Sequence, residues 1–331
     1  MSGFFVAGTG KYLPSQVVTN DDLTKIVDTS DEWISERTGI RERRFSKGEQ
    51  TWYMGKMAAL DAINNANINP LEIDIIIGCT ITPDYCTPSL ACIIQSEIGA
   101  ENAFCFDMNA ACSGFVYAMD VAHKYLSSNG VNTVLVVCSE ALSKITDFSD
   151  RSTCVLFGDG SGAVLLRKAE SKMYKSCLKS EGKNGEYLVA RTHKTESPYA
   201  TEKDDSVNEK FAMTNGCFVY MSGKDVYRFG TRVMPESLEQ ACSKAGITPQ
   251  DLDLIIPHQA NQRIVETAAK KLGVEMTKMF MNIDKYANTS CASIPICLDE
   301  LWKSDKLKRG DKIALCGFGG GLTYGAIVME W

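Results

Sequence analysis

DAINNANINPLEIDIII, residues 61–77, returns in altered form as QACSKAGITPQDLDLII, residues 240–256. Seven positions keep their residue type at a constant separation of 179: Ala62 and Ala241, Ala66 and Ala245, Ile68 and Ile247, Pro70 and Pro249, Asp74 and Asp253, Ile76 and Ile255, Ile77 and Ile256. Three further pairs share this separation: Asn109 and Asn288, Cys112 and Cys291, Asp120 and Asp299. Phe-Gly-x-Gly then follows in both halves, at 157–160 and 318–321. The pattern predicts a duplicated unit of roughly 160 residues, packed as two similar halves around a pseudo-twofold axis.

Each copy predicts the same order of elements. A helical pattern (57–66 and 235–245) ends near an Ile-x-Pro turn. The apolar runs that follow are typical of buried strands: Ile73–Cys79, Leu252–Pro257, then Val131–Cys138 with Ala163–Leu166, and Lys312–Cys316 with Gly325–Glu330. Such alternation predicts α/β architecture with largely buried sheets. Residues 180–215 are polar and lack a hydrophobic period, so we expect either a tolerated surface loop or a loop that covers substrate.

The composition excludes several classes of protein. The 331 residues carry a formal charge of −6, which gives no global reason to bind nucleic acid or an anionic membrane. No apolar run approaches the ~20 residues of a membrane span, and the N-terminus lacks a secretory pattern, so we expect a cytoplasmic protein. Thirteen cysteines without a C-x-x-C pair argue against a disulfide framework and a structural zinc site.

A cysteine, a histidine and an amide residue are each predicted near the end of an element. Cys112 in NAACSGF comes just before a helical pattern, where a helix N-terminus lowers the pKa of a thiol. His258 in PHQANQRI directly follows a buried strand, and Asn288 in YANTSCASIP occupies a turn of small residues. The glycines of CGFGGGLTYGA let backbone approach a ligand closely. Together these residues indicate thioester chemistry, although each alone also fits a purely structural role.

The sequence resembles the β-ketoacyl-acyl carrier protein synthase III family, condensing enzymes of the thiolase superfamily. The resemblance rests on stretches in the family's order along nearly the whole chain: TSDEWISERTGIRERR (29–44), NAACSGF, DRSTCVLFGDGSGA (150–163), PHQANQRI, NTSCASIP and FGGGLTYGA. It implies a thiolase-like α/β fold of five layers, α-β-α-β-α. The N-terminal half, 1–170, would supply the nucleophilic cysteine, and the C-terminal half, 171–331, the histidine and asparagine. A homodimer is implied as well.

The resemblance also implies a reaction and its catalytic groups. Cys112 would take the acyl group of an acyl-CoA, and malonyl-acyl carrier protein would then deliver the second thioester. His258 and Asn288 would stabilise the enolate formed by loss of carbon dioxide. The tetrahedral oxyanion would lie between the backbone N–H groups of Cys112 and Gly320, with Phe318 as an aromatic gate. The product is a 3-oxoacyl-carrier protein, the start of type II fatty acid synthesis, and no cofactor or metal is expected because acyl-CoA is a substrate.

Binding residues are implied in the same way. The CoA contacts map to Trp33, Arg37, Arg151 and Asn261. A basic patch for an acidic carrier protein maps to Arg228 and Arg263, with Lys270 and Lys271 as additional candidates. Thr87 occupies a position at the end of the acyl pocket that is often phenylalanine, so a longer or branched starter is expected to fit.

Several alternatives stay open at this stage. A thiolase-type enzyme needs a second catalytic cysteine, for which Cys316 is a candidate, whereas Asn288 favours the decarboxylating route. A hydroxymethylglutaryl-CoA synthase uses a glutamate near the strand at Cys79 and Thr80, and none occurs in that stretch. A non-catalytic acyl-binding protein is expected to lack one of the three catalytic residues. A related acyltransferase of specialised metabolism is also compatible with them.

Overall fold

The computed structural model describes residues 2–170, 173–191 and 217–331. The strands of the described chain are β1 Ser2–Tyr12, β2 Gln16–Thr19, β3 Glu42–Phe45, β4 Ile75–Cys79, β5 Phe104–Met108, β6 Thr133–Glu140, β7 Gly160–Glu170, β8 Tyr174–Ser180, β9 Leu188–Val189, β10 Tyr220–Met221, β11 Leu254–Pro257, β12 Lys312–Gly319 and β13 Thr323–Glu330. The helices are α1 Asn20–Leu23, α2 Asp31–Thr38, α3 Thr51–Ala66, α4 Leu90–Ile98, α5 Gly114–Leu126, α6 Gly223–Ala245, α7 Gln262–Leu272, α8 Ile283–Tyr286 and α9 Ser293–Lys303.

Two sheets form the frame of the molecule. The first has the strand order β1-β7-β6-β4-β5, and the second has the order β11-β12-β13-β8. Parallel pairs (β4 with β5 and β6; β11 with β12) are flanked by antiparallel ones. Side chains of β6 alternate between layers: Val134 and Val136 pack into the core between the sheets, and Leu135 and Val137 pack outward. A strand buried on both faces explains the continuous apolar run in its sequence.

Helices fill the space between the sheets and cover their outer faces. The central layer contains α5 and α9, whose Phe115, Val116 and Ile294 share one cluster with strands of both sheets. One outer layer is α3 and α4, and the other is α6 and α7. This is the five-layered α/β arrangement that the resemblance implied. Among the described residues, no helix is long and apolar enough to cross a membrane.

The repeat in the sequence is visible in the backbone. Strand β6 and strand β12 occupy ranges separated by 179 residues, and helices α3 and α6 end at Ala66 and Ala245, which are also 179 apart. Both helices end at a left-handed residue, Asn67 or Gly246, and a short 3₁₀ turn that begins with proline follows. A left-handed cap and a subsequent proline are local stop signals, which is why the sequence predicted these two ends.

The starts of the same helices differ from the prediction. Helix α3 begins at Thr51 instead of 57, and α6 begins at Gly223 instead of 235, with Pro235 inside it. Proline removes the N–H that would bond to the carbonyl of Thr231. The Lys271 Nζ of α7 donates to that carbonyl at 2.9 Å, so a side chain replaces the missing donor. Of the polar segment 180–215, residues 192–215 lie outside the described residues.

Candidate active site

Two equivalent turns hold Cys112 and Cys291. Each turn is a single 3₁₀ segment, Ala111–Ser113 or Ser290–Ala292, placed directly before the helices of the central layer. Ala111 and Ser290 have positive φ values of 45° and 52°, in the left-handed region. Asn109 and Asn288 accept a hydrogen bond through Oδ1 from the backbone N–H two residues later, at 3.2 and 2.8 Å. The duplication therefore reproduces this turn, including its strained residue.

Cys112 lies where two cavities meet. Cavity A extends from Trp33 and Arg37 to the cysteine and is also lined by His258, Asn288, Asn261 and Phe318. Cavity B lies on the other side and is lined by Ile81, Leu142, Ser290 and Gly320, among others. Cys112 itself is 7% exposed. A thiol in this position can react with a group that arrives through A while a chain attached to it occupies B.

The electrostatics at Cys112 differ from the prediction. Burial raises the pKa of the Cys112 thiol to about 12, although the hydroxyl of Ser290 acts in the opposite direction. The expected lowering by the helix N-terminus does not prevail because desolvation of the charged form is the larger effect. The thiol is therefore protonated in the unliganded site.

His258 and Asn288 both line cavity A. His258 is 1% exposed, and burial lowers the pKa of its imidazole to about 3, so the ring is neutral. Its backbone N–H bonds to the carbonyl of Cys316 at 2.7 Å, which fixes it just beyond β11. Asn288 uses Oδ1 within its own turn, which leaves the Nδ2 amide to donate. Phe318 packs edge-on against His258, with ring centroids 5.9 Å apart.

Glycines allow β12 to approach the cysteine. A Cβ on Gly319 would lie 2.7 Å from the Cys112 nitrogen, so no larger residue fits there. Gly320 lies beside Ala111, in the wall of cavity B. Among the described residues, neither the Cys112 N–H nor the Gly320 N–H donates to a backbone carbonyl. Sequence reasoning named Gly320 and missed Gly319.

The other predicted residues are placed as follows. Trp33 has two guanidinium groups over its ring, those of Arg37 at 4.8 Å and Arg151 at 4.7 Å. Asn261 caps α7 and donates to the Arg37 carbonyl at 2.9 Å, so it joins the two sides of the mouth of cavity A. Thr87 is in an exposed turn and lines neither cavity within one chain.

The predicted basic patch lies on the outer helices α6 and α7, whereas the rival nucleophile, Cys316, lies in the core. Arg228, Arg263 and Lys270 are exposed on α6 and α7. Lys271 is exposed on α7 as well, and its Nζ also donates to the Thr231 carbonyl at 2.9 Å. Cys316 lies in the core of the second sheet outside both cavities, and burial raises the pKa of its thiol to about 12.

Sequence reasoning also missed a glutamate. Glu140, at the end of β6, is fully buried and accepts hydrogen bonds from Thr80 Oγ1, Thr82 Oγ1, the Ile81 N–H and the Cys291 thiol. Burial raises the pKa of its carboxyl group. A glutamate thus reaches the Cys79–Thr80 stretch from a neighbouring strand, but its oxygens are already bonded. The only sequence signal was an acidic residue directly after a buried run.

Comparison with known proteins identifies relatives that match this chain over its full length. The profile described as 3-oxoacyl-[acyl-carrier-protein (ACP)] synthase III matches residues 106–182, and its C-terminal counterpart matches residues 242–331. The β-ketoacyl-[acyl-carrier-protein] synthase III of Clostridium acetobutylicum is 48% identical, and the alignment covers 100% of this chain and 99% of that protein.

Two solved structures have the same fold. The 3-oxoacyl-[acyl-carrier-protein] synthase III of Aquifex aeolicus superposes with a TM-score of 0.90 at 44% identity, covering 99% of this chain and 100% of that one. The corresponding synthase of Thermus thermophilus gives a TM-score of 0.89 at 38% identity, with 98% of both chains covered.

Proposed function

Since the chain belongs to the 3-oxoacyl-[acyl-carrier-protein] synthase III family of condensing acyltransferases, which start fatty acid synthesis, we propose that its two substrates are an acyl-CoA and malonyl-acyl carrier protein. One observation carries the proposal: Cys112 lies at the junction of two cavities, with the donors of His258 and Asn288 on the wall of one of them. The reaction would run in the cytoplasm, as the first condensation of the type II system.

The first step is acyl transfer. The sulfur of Cys112 attacks the thioester carbonyl, the bond to the CoA sulfur breaks, and the thiol proton ends on the departing CoA. The tetrahedral oxyanion is stabilised by the Cys112 and Gly320 N–H groups, which donate to no backbone carbonyl among the described residues. The acyl chain then occupies cavity B.

The second step is decarboxylative condensation. The malonyl thioester oxygen accepts hydrogen bonds from neutral His258 and from the Asn288 amide, and carbon dioxide leaves as the enolate forms. The enolate carbon attacks the acyl-Cys112 carbonyl, and the thiolate of Cys112 departs. Neutral donors suit this step, because a buried imidazolium would carry its own desolvation cost.

The mouth of cavity A supports the binding assignments. Trp33, Arg37 and Arg151 offer a stacking surface and two guanidinium groups for the adenine and phosphates of CoA, and Asn261 lies on the path of pantetheine. Arg228, Arg263, Lys270 and Lys271 are all exposed and would form the patch for an acidic carrier protein.

We also infer a homodimer. Strand β5 is at the edge of the first sheet, and Phe104 on it is 49% exposed. Its ring lies 6.4 Å from Phe106 and 5.7 Å from Tyr125, so the edge carries an aromatic patch. An unprotected apolar edge strand favours pairing with a second copy of the same strand. Thr87 would reach an acyl pocket only across such an interface.

Acyl capture on a defined thiol tests the proposal. The protein is incubated with acyl-CoAs of increasing length, with and without malonyl-acyl carrier protein, and digested for mass spectrometry. We expect the acyl mass on the peptide that contains Cys112, its loss in Cys112→Ala, and its retention in the control Cys316→Ala. Acyl groups on Cys316, or 3-oxoacyl product without malonyl-carrier protein, would contradict the assignment.

A further inference from the structure

Ser293 lies behind the imidazole of His258, on the side away from cavity A. It is the first residue of α9 and is 2% exposed. Its Oγ lies 2.7 Å from the Nδ1 of His258 and 3.4 Å from the backbone nitrogen of Gln259. The other ring nitrogen, Nε2, has no hydrogen-bond partner among the described residues.

The directions of these two hydrogen bonds follow from the chemistry of the groups. A backbone N–H can only donate, so Ser293 Oγ accepts from Gln259. The hydroxyl has one proton, and among the described residues His258 Nδ1 is the acceptor within reach. If Nδ1 carried a proton instead, the buried hydroxyl proton would have no acceptor, which costs roughly 1–3 kcal/mol. The ring proton therefore belongs on Nε2.

We propose that Ser293 is a positioning residue that holds His258 in the Nε2–H tautomer and aims that N–H at the substrate oxygen. The inference rests on the proposed role of His258 as a hydrogen-bond donor and deepens it. Only the Nε2–H form can stabilise the enolate, since an unprotonated Nε2 would repel it. Phe318, packed edge-on against the other side of the ring, limits its rotation.

The repeat shows that this hydroxyl is particular to the half that carries His258. The counterpart of Ser293, 179 residues earlier, is Gly114. A Cβ on Gly114 would lie 3.1 Å from the Cβ of Cys291, so a side chain there would require Cys291 to shift. The two halves have therefore diverged at this position, where one needs close packing and the other a hydrogen bond.

The tautomer can be measured without substrate. The chain has three histidines, so selective ¹⁵N-histidine labelling gives three pairs of ring nitrogens, and His258→Gln assigns one pair. We expect a pyridine-type shift for Nδ1 and a pyrrole-type shift for Nε2 of His258. A pyrrole-type Nδ1 in the unmodified protein would overturn the proposal, whatever the enzyme turns over.

The kinetic test separates the two steps. Ser293→Ala should lower malonyl decarboxylation and condensation by roughly 10- to 100-fold, the range seen when the partner that orients a functional histidine is lost. Acylation of Cys112, which uses backbone donors, should stay within about twofold, and Ser293→Thr should recover part of the lost rate. Ser237→Ala, which removes a buried hydroxyl that bonds only within α6, is the control.

Two kinetic outcomes would also overturn the proposal, and a third result separates it from the proposed function. If Ser293→Ala lowers the rates of acylation and condensation equally, Ser293 has a merely structural role. If the condensation rate is unchanged, Ser293 has no role in the reaction. If the unmodified protein does not turn over acyl-CoA, the proposed function fails while the nitrogen shifts still decide the tautomer. If Ser293→Ala does not fold, the shifts of the unmodified protein decide alone.

Discussion

Cys112 and Cys291 occupy equivalent turns but have different surroundings. Cys291 donates to the Glu140 carboxyl group at 3.2 Å and lies in the closed core between the sheets. Cys112 opens to two cavities, and the buried hydroxyl of Ser290 acts on its thiol. The Ser290 hydroxyl acts on both the Cys112 thiol and the Glu140 carboxyl group, and in each case it favours the charged form. The reactivity of one cysteine thus depends on a residue from the other half of the chain.

Ser290→Ala tests this dependence. The hydroxyl lowers the pKa of the Cys112 thiol, so its loss should raise that pKa and reduce the thiolate fraction at a given pH. We expect alkylation by iodoacetamide between pH 7 and 9 to slow about 3- to 10-fold, which corresponds to a shift of roughly half to one pKa unit. Ser237→Ala is the control, and equal alkylation rates in both variants would contradict the assignment.

His258 should make the fold sensitive to acid. Its pKa is lowered to about 3 in the fold, whereas an unfolded histidine titrates near 6.5. Between these values the unfolded chain binds a proton that the native one does not, so stability falls as pH falls. The loss is about 1.4 kcal/mol per pH unit from this residue and ends below pH 3. Urea unfolding at pH 7, 6 and 5 should give a flatter dependence for His258→Gln, and parallel curves would refute the assignment.

At the scale of elements, Lys271 shows how α6 tolerates an internal proline. Pro235 leaves the Thr231 carbonyl without its helical partner, and the lysine of the neighbouring helix supplies the donor. The two helices of this outer layer are therefore joined by a hydrogen bond as well as by apolar contact. Lys270 and Lys271 are both exposed, and the bond to Thr231 is what distinguishes Lys271 from its neighbour.

Lys271→Met should destabilise the protein, and Lys270→Met should not. Removing the donor leaves a partly buried carbonyl unsatisfied, which costs about 1–2 kcal/mol of the free energy of unfolding. In a Pro235→Ala background the helix regains its own N–H, so the same lysine substitution should cost less, and the double-mutant cycle gives the coupling. Independent effects of the two substitutions in urea unfolding would show that the lysine does not replace the missing donor.

The same helix shows what local sequence can predict. The ends of α3 and α6 were predicted because left-handed caps and prolines are local signals. The start of α6 was not predicted, because proline usually occupies the first turn of a helix. Its position inside α6 is tolerated because of Lys271, which lies 36 residues later in the chain. Glu140 was missed for a similar reason. Its carboxyl group contacts Thr80 only because β6 pairs with β4, and the local sequence of neither strand predicts that pairing.

At the scale of the whole molecule, the first sheet ends in an exposed aromatic edge. Phe104→Glu should therefore convert a dimer into a monomer, because a charge directly on the edge strand opposes pairing with a second copy. Sedimentation should give twice the 36.3 kDa chain mass for the unmodified protein and a single chain mass for the variant. Met276→Glu, at an exposed apolar residue of the other half, is the control and should keep the larger mass.

The paired turns at 111–113 and 290–292 also record an inheritance. If one ancestral unit was copied, each daughter received the same strained turn, the same asparagine and the same cysteine. Both copies still carry both residues, but Cys112 and Asn288 line cavity A, whereas Cys291 is buried in the core between the sheets. Cavity A is therefore lined by residues of both copies, and neither copy alone supplies this combination of thiol and amide. A substitution in either half is therefore expected to affect a site to which the other half also contributes residues.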